Sequence, residues 1–198
     1  SAAYWMVAAA TTPGAEVVIK NVGLTLRRTA LLDVLKRMGA DVTVERASSS
    51  ADAEVFGHIT IRGRPLKGTE ISGSEIPNLI DEIPIIAVAG ALASGKTVIR
   101  NASELRVKES DRIAVMAEHL RSFGVPVDEK PDGMEIEGGA DLKPASSIKS
   151  HGDHRIAMSM SILALRADKP VCINNVACVE TSYPGFWDDM KRLGVHVE

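Results

Sequence analysis

The heptapeptide Arg106 to Arg112, R-V-K-E-S-D-R, puts cations where helix stability alone would not. The stretch from Glu109 to Phe123 reads as an amphipathic helix, with Ile113, Met116, Ala117 and Leu120 on one face and Gly124 as its stop. Lys108 and Arg112 then fall near its start, where cations oppose the helix dipole and, four residues apart, repel each other. Each effect costs a few tenths of a kcal/mol, on the order of 0.3. A bound anion reverses both signs, because lysine, arginine and free helical N–H groups together make an anion site. Glu109, inside the cluster, is then a candidate proton carrier. A solvated helix start with scattered charges is the plain structural alternative.

A second cluster, H-G-D-H-R, runs from His151 to Arg155. Asp153 is a good N-cap for the apolar helix that follows, a purely structural role. His154 and Arg155 have no such explanation and again bring donor groups to a helix start. A metal site from His151, Asp153 and His154 is disfavoured: no third well-spaced ligand appears and Arg155 repels a cation. Asp81 completes the set, in N-L-I-D-E-I-P ahead of another apolar helix. Pro84 in the first turn and acids before it are ordinary helix-start chemistry, which accounts for Glu82 and less fully for Asp81.

Gly90 to Thr97, G-A-L-A-S-G-K-T, satisfies the phosphate-loop pattern G-x-x-x-x-G-K-[ST]. That motif works only when a strand precedes the glycines and a helix begins at the lysine. Here the order is reversed. Pro84 to Ala93 reads as the helix, Gly95 as its stop and Thr97 to Arg100 as a β-branched strand, so nucleotide binding is rejected.

The elements that must carry these groups repeat three times. Aligned on Asn21, Asn101 and Asn175, each segment has an alanine-rich apolar run, a break, a strand ending in that asparagine, an amphipathic helix, then Gly and a short alternating strand. The runs are A-A-Y-W-M-V-A-A-A, I-I-A-V-A-G-A-L-A and R-I-A-M-S-M-S-I-L-A-L. Units about 75 to 80 residues apart mean one supersecondary unit used three times. The first and second copies continue into His58 to Arg62 and Met134 to Glu137. The third stops at Glu198, so its last strand is missing or comes from elsewhere in a longer protein. Apolar runs without a polar face predict helices buried all round, with the amphipathic helices outside. The expectation is one α/β domain of three buried helices, three covering helices and three small sheets, with repeats near 1–63, 76–138 and 150–198. Ala47 to Val55 and Gly138 to Gly152 read as surface loops.

Composition sets outer limits. The chain has 198 residues, 45% hydrophobic, with a net charge of −3, enough for one sizeable core and against a general nucleic-acid surface. No apolar run reaches the roughly 18 residues that a membrane span needs. Cys172 and Cys178 are too few for a disulfide framework and lack metal-ligand spacing, which fits a reducing compartment. The start at Ser1, directly inside an apolar run, suggests a fragment or processed product. Helix starts of parallel repeats converge on one face, which would gather arginine, lysine, carboxylates and histidine into a site for a small polyanionic substrate.

R-V-K-E-S-D-R, H-G-D-H-R and the tail T-S-Y-P-G-F at Thr181 to Phe186 closely resemble the 5-enolpyruvylshikimate-3-phosphate synthase family over essentially the whole chain. The resemblance implies a C-terminal domain of a two-domain, monomeric cytoplasmic enzyme (stromal in plant plastids), each domain made of three βαβαββ units. The third unit's final strands would come from the extreme N-terminus, and substrates would bind between the domains. It implies transfer of the enolpyruvyl group of phosphoenolpyruvate to the 5-hydroxyl of shikimate 3-phosphate, with neither metal nor organic cofactor. By motif position Asp81 contacts the shikimate ring as base and Glu109 handles the methylene proton, roles that can exchange between steps. Lys108, Arg112 and Arg155 would bind phosphoenolpyruvate, with His154 nearby. Thr181 stands where some members carry a phosphoenolpyruvate-binding lysine, so that contact is in doubt. A related UDP-sugar enolpyruvyl transferase fits the two charged motifs poorly. An isolated domain with anion affinity and no catalysis is the other alternative.

Overall fold

The computed structural model describes residues 2–47, 55–143, 145 and 147–198. Most of the expected loop Ala47 to Val55 therefore lies outside the described residues. The first copy runs α1 (Ala2–Ala10), β1 (Glu16–Gly23), α2 (Leu26–Arg37), β2 (Asp41–Arg46) and β3 (Phe56–Arg62). The second runs β4 (Glu70–Ile71), a short α3 (Ile76–Leu79), α4 (Ile83–Leu92), β5 (Gly95–Ile99), α5 (Arg112–Ser122), β6 (Val127–Lys130) and β7 (Gly133–Gly138). The third has β8 (Ser147–Lys149), α6 (His154–Ala164), β9 (Cys172–Asn174), α7 (Cys178–Ser182) and α8 (Phe186–Arg192).

Each copy owns one sheet, ordered β1-β3-β2, β4-β5-β7-β6 and β8-β9. The opening strand pairs parallel with the next, as β4 does with β5 and β8 with β9, and the remaining pairs are antiparallel. Only the middle copy has the full βαβαββ order among the described residues. Among those residues the first copy shows no opening strand and the third no closing pair. The openings β4 and β8 lie somewhat ahead of residues 76 and 150, because a two- or three-residue parallel strand leaves almost no periodic signal.

The alanine-rich helices form the centre. Every residue from Ile83 to Ala91 of α4 is buried, and α4 packs on α1 and α6, which also touch each other. A helix apolar all round has no face to give to solvent, and its small side chains let neighbouring helices and strands approach closely. The amphipathic α5 turns Ile113, Met116, Ala117 and Leu120 inward, as its pattern predicts.

Two local devices recur in all three copies. Asn21, Asn101 and Asn175 adopt left-handed φ of 57°, 59° and 61°, a conformation asparagine tolerates better than other side chains. After each covering helix, Gly39, Gly124 and Gly194 are also left-handed. Their N–H groups bond Lys36, Arg121 and Lys191 carbonyls, and the following Ala40, Val125 and Val195 bond back to Leu35, Leu120 and Met190. These are paired Schellman caps, each with its apolar contact positions filled.

The phosphate-loop look-alike folds as helix, turn, strand. Gly90 lies within α4 against Thr97 of β5, where a Cβ would sit 2.9 Å from the threonine side chain. Lys96 faces Glu135 and Glu137 on the outer surface of the sheet.

Gly138, at the end of β7, sits under the last turn of α4, and a Cβ there would stand 2.2 Å from both the Gly90 and Ala93 carbonyl oxygens. Backbone on both sides cannot yield as a side-chain tip can. Gly138→Ala should therefore lower unfolding free energy by about 3 kcal/mol, at the upper end of overpacking costs. Gly194→Ala, with positive φ but open space around it, should cost about 1 kcal/mol. Urea unfolding of the two variants checks the order.

Candidate active site

The three charged segments meet at the starts of α4, α5 and α6. At the centre is Arg112, the first residue of α5, with a side chain only 1% exposed. Its Nε donates to Asp153 Oδ2 at 2.8 Å and its Nη2 to Oδ1 at 3.3 Å. The same guanidinium reaches Glu109 Oε2 at 2.7 Å and Asp81 Oδ1 at 3.4 Å. One buried cation thus joins a carboxylate from each of three segments that are remote in sequence.

Asp153, with a fully buried side chain, does two jobs at once. It caps α6 by accepting from the Arg155 N–H at 2.9 Å, and its other oxygen accepts from Ser110 Oγ at 3.0 Å. Burial opposes its charge, but the Arg112 hydrogen bonds and charge, Ser110 and the Arg155 N–H outweigh burial and hold the carboxyl below its usual range. Arg112 responds in the opposite sense: burial opposes its charge, and Asp153, Glu109 and Asp81 outweigh it.

Arg155 forms the second cationic node. Its Nη1 donates to the Asp81 carbonyl at 2.6 Å and lies 3.4 Å from Glu82 Oε2, while Nη2 is 3.6 Å from Asp81 Oδ2. Lys108 pairs with Glu104 and feels the charge of Asp81. His154 is half-buried. Burial and then Arg155 press its pKa down, so the imidazole is neutral at neutral pH. The structure therefore brings Asp81, Glu109, Arg112 and Arg155 into one contact network, with Lys108 and His154 at its edge.

The sequence expectation of a helix beginning at Glu109 is corrected. Asp111 caps α5 through the Ala114 N–H at 3.0 Å, so the helix begins at Arg112. Lys108 and Glu109 precede it on non-helical backbone, so Lys108 and Arg112 do not share a helix face, although the like charge of Arg112 still acts on Lys108. Arg112 also differs from an open anion ligand, because its guanidinium is already ringed by carboxylates. Arg106, the other arginine of the motif, fastens the loop to Asp111, Glu129 and the carbonyls of Lys130 and Pro131. Asp153 is committed to Arg112, Ser110 and the α6 start, so His151, Asp153 and His154 do not converge as metal ligands.

The tail motif turns out to be a packing device. Phe186 is fully buried and stacks on Trp5 at 5.3 Å, with Tyr4 edge-on at 6.0 Å. Trp5 donates its indole N–H to Tyr183 Oη at 2.8 Å, and Tyr183 in turn donates to Asp189 at 2.7 Å. Thr181 is exposed and donates to the Cys178 carbonyl within α7. Two cluster members carry little signal in the sequence: Glu82 has the pattern of helix-start chemistry alone. Tyr4, 3% exposed on α1, feels Arg155, Glu82, Arg112 and Asp153, while burial keeps its hydroxyl protonated. The Tyr4 hydroxyl, next to the Trp5 indole N–H on an otherwise apolar helix, is the one available signal.

Asp81 and Glu109 are half-exposed, at 48% and 50%, while the buried Arg112 guanidinium that orients both is fixed. Oriented carboxylates at a solvent edge, beside arginines and a lysine, can bind an anionic molecule and move protons on it.

A family model described as EPSP synthase (3-phosphoshikimate 1-carboxyvinyltransferase) matches residues 1–190. The chain is 47% identical over 194 residues to a 3-phosphoshikimate 1-carboxyvinyltransferase of Salinibacter ruber, covering 98% of this chain and 45% of the relative. A protein of the same name from Akkermansia muciniphila is 49% identical, with 98% and 44% covered. The solved EPSP synthase of Acinetobacter baumannii superposes with a TM-score of 0.91 at 42% identity, over all of this chain and 46% of that one. The enolpyruvyl transferase NikO of Streptomyces tendae shares the fold, with a TM-score of 0.76 at 21% identity, over 99% of this chain and 42% of its own. The chain thus spans somewhat under half the length of these proteins.

Asp153→Ala leaves the Arg112 guanidinium buried without its main counter-charge and removes a helix cap, and should cost about 3–5 kcal/mol in urea unfolding. The pH dependence carries a sign. Because the folded carboxyl titrates below its unfolded value, its stabilisation is complete above about pH 4 and is lost as pH falls through the lower folded value. Stability of the Asp153→Ala variant should accordingly fall less steeply with acid than that of the parent chain.

Proposed function

The chain belongs to the EPSP synthase family, and on that premise we propose that it supplies one half of the active site of a 3-phosphoshikimate 1-carboxyvinyltransferase. The reaction is transfer of the enolpyruvyl group of phosphoenolpyruvate to the 5-hydroxyl of shikimate 3-phosphate, with release of phosphate. The observation that carries this reading is the joining of Asp81, Glu109 and Asp153 through Arg112 at the meeting point of three helix starts. In this reading the chain is the C-terminal domain, and an N-terminal domain of the same protein covers the open face and holds most of the shikimate 3-phosphate contacts. The completed enzyme would act as a cytoplasmic monomer without metal or organic cofactor. No described helix is long and apolar enough to cross a membrane.

The residues divide the work by exposure. Arg155 and Lys108, partly open and held by carboxylates that can move aside, bind the phosphate and carboxylate of phosphoenolpyruvate, with neutral His154 as a hydrogen-bonding neighbour. Arg112 joins them as a ligand from below, at the buried floor of the site. It orients Glu109 and Asp81 and adds positive potential beneath the bound anion. Glu109 gives a proton to the phosphoenolpyruvate methylene, which makes the adjacent carbon electrophilic. Asp81 takes the proton from the attacking 5-hydroxyl. In breakdown of the tetrahedral adduct a methyl proton returns to one carboxylate while the other passes the hydroxyl proton to the departing phosphate, so both are reset and the two groups can exchange roles between steps.

Joined to the N-terminal half of a relative, the chain should release phosphate from phosphoenolpyruvate with shikimate 3-phosphate and not with UDP-N-acetylglucosamine. Turnover with neither acceptor would refute the proposal. In that assembly Glu109→Gln should lower kcat by about 100-fold or more while leaving KM for phosphoenolpyruvate within a few-fold. Arg155→Ala should act first on KM, raising it by about tenfold or more through loss of charge-assisted hydrogen bonds. A Glu109→Gln effect confined to KM would remove the proton-transfer role.

A further inference from the structure

In the cluster, two guanidiniums face four carboxylates: Arg112 and Arg155 against Asp81, Glu82, Glu109 and Asp153, a formal charge of −2 with every group ionised. Lys108 does not change that balance, because Glu104 pairs with it. An anion entering this network meets net repulsion unless a carboxylate gives up its charge. The four acids differ in how readily they can do so. Asp153 is pinned in its ionised form by Arg112, Ser110 and the Arg155 N–H. Asp81 and Glu109 are half-exposed, and each pairs with the fixed guanidinium of Arg112.

Glu82 has neither support. Its side chain is 26% exposed, about half as open as those of Asp81 and Glu109, and its hydrogen bond among the described residues is a long one, 3.4 Å, from Arg155. Three described groups face it: Arg155 from α6, the like-charged Asp81 of its own turn, and the neutral phenol of Tyr4 from α1. Burial already raises its pKa, with Arg155 as the largest of the opposing influences and the terminal amine as another. If Arg155 turns to an incoming anion, that influence is withdrawn while the burial and Asp81 remain.

We propose that Glu82 is a positioning residue that yields Arg155 to the incoming anion and takes up a proton from solvent as it does so. Before binding, Glu82 and the Asp81 carbonyl hold the guanidinium in place. After binding, the neutral Glu82 carboxyl no longer competes for it and no longer repels the anion. Binding is thereby coupled to proton uptake at a residue that need not touch the reacting atoms. The inference rests on the anion-site reading above, and the test separates the two.

Sulfate serves as the probe, because it does not itself titrate near neutral pH. Calorimetric titration of the 198-residue chain with sulfate, in buffers of different ionisation heat, should show proton uptake. Sulfate affinity should fall by about tenfold per pH unit above the Glu82 titration. Glu82→Gln, which keeps the size and polarity of the side chain, should bind sulfate with no Glu82-linked uptake and with the pH slope flattened. In the unaltered chain, the Glu82 carboxyl carbon followed by 13C NMR should shift toward its protonated position as sulfate is added. Sulfate binding without proton uptake, or full uptake surviving in Glu82→Gln, would overturn the coupling and leave the anion site standing. Absence of sulfate binding would overturn both.

Discussion

A single buried ion pair holds the functional face together. Arg112 and Asp153 come from different repeats, and each is nearly inaccessible to water. An arginine or aspartate buried alone would be strongly unfavourable, so each requires the other, and both require the helix starts that carry them to stay in register. The pair also does more than compensate charge. Asp153 begins α6, and Arg112 orients Glu109 and Asp81 from the two other segments. Displacing any of the three helices would strand a buried charge.

The repeat explains how such a pair can be positioned. Three alanine-rich helices packed on one another leave little freedom for their starts, since close contacts between small side chains tolerate little sliding. The left-handed asparagines and the Schellman glycines set the entrance of each loop and the exit of each covering helix in the same way in every copy. Rigid apolar packing behind and polar exchange in front is a division that suits a site on one half of a larger enzyme. The aromatic knot of Trp5, Tyr183 and Phe186 then ties α1 to the tail, closing the ring of repeats within the chain.

The electrostatics of the open face are acidic in excess, although the motifs drew attention first as clusters of cations. In linear sequence Lys108, Arg112 and Arg155 stand out because they oppose helix dipoles. In space each has at least one carboxylate beside it. Of these, Arg155 and Lys108 are partly exposed, whereas Arg112 is locked in its buried pair with Asp153.

Periodicity and local stereochemistry were enough to read the buried helices, the covering faces, the repeat and the rejection of the phosphate-loop pattern from the chain alone, because each depends on residues within a few positions of one another. The identity of Asp81, Glu109 and Arg155 as site candidates was also legible, through charges misplaced for helix stability and through the family's motifs. The start of α5 was misplaced by three residues because Asp111, inside a run of charges, gives no signal distinguishing a cap from a helical residue. The tail motif's packing role, the burial of Arg112, the double duty of Asp153 and the exposure of Glu82 to a like charge were decided only by tertiary structure. All four depend on groups dozens of residues apart, and the energy of a buried charge is fixed by what surrounds it, which no local pattern encodes.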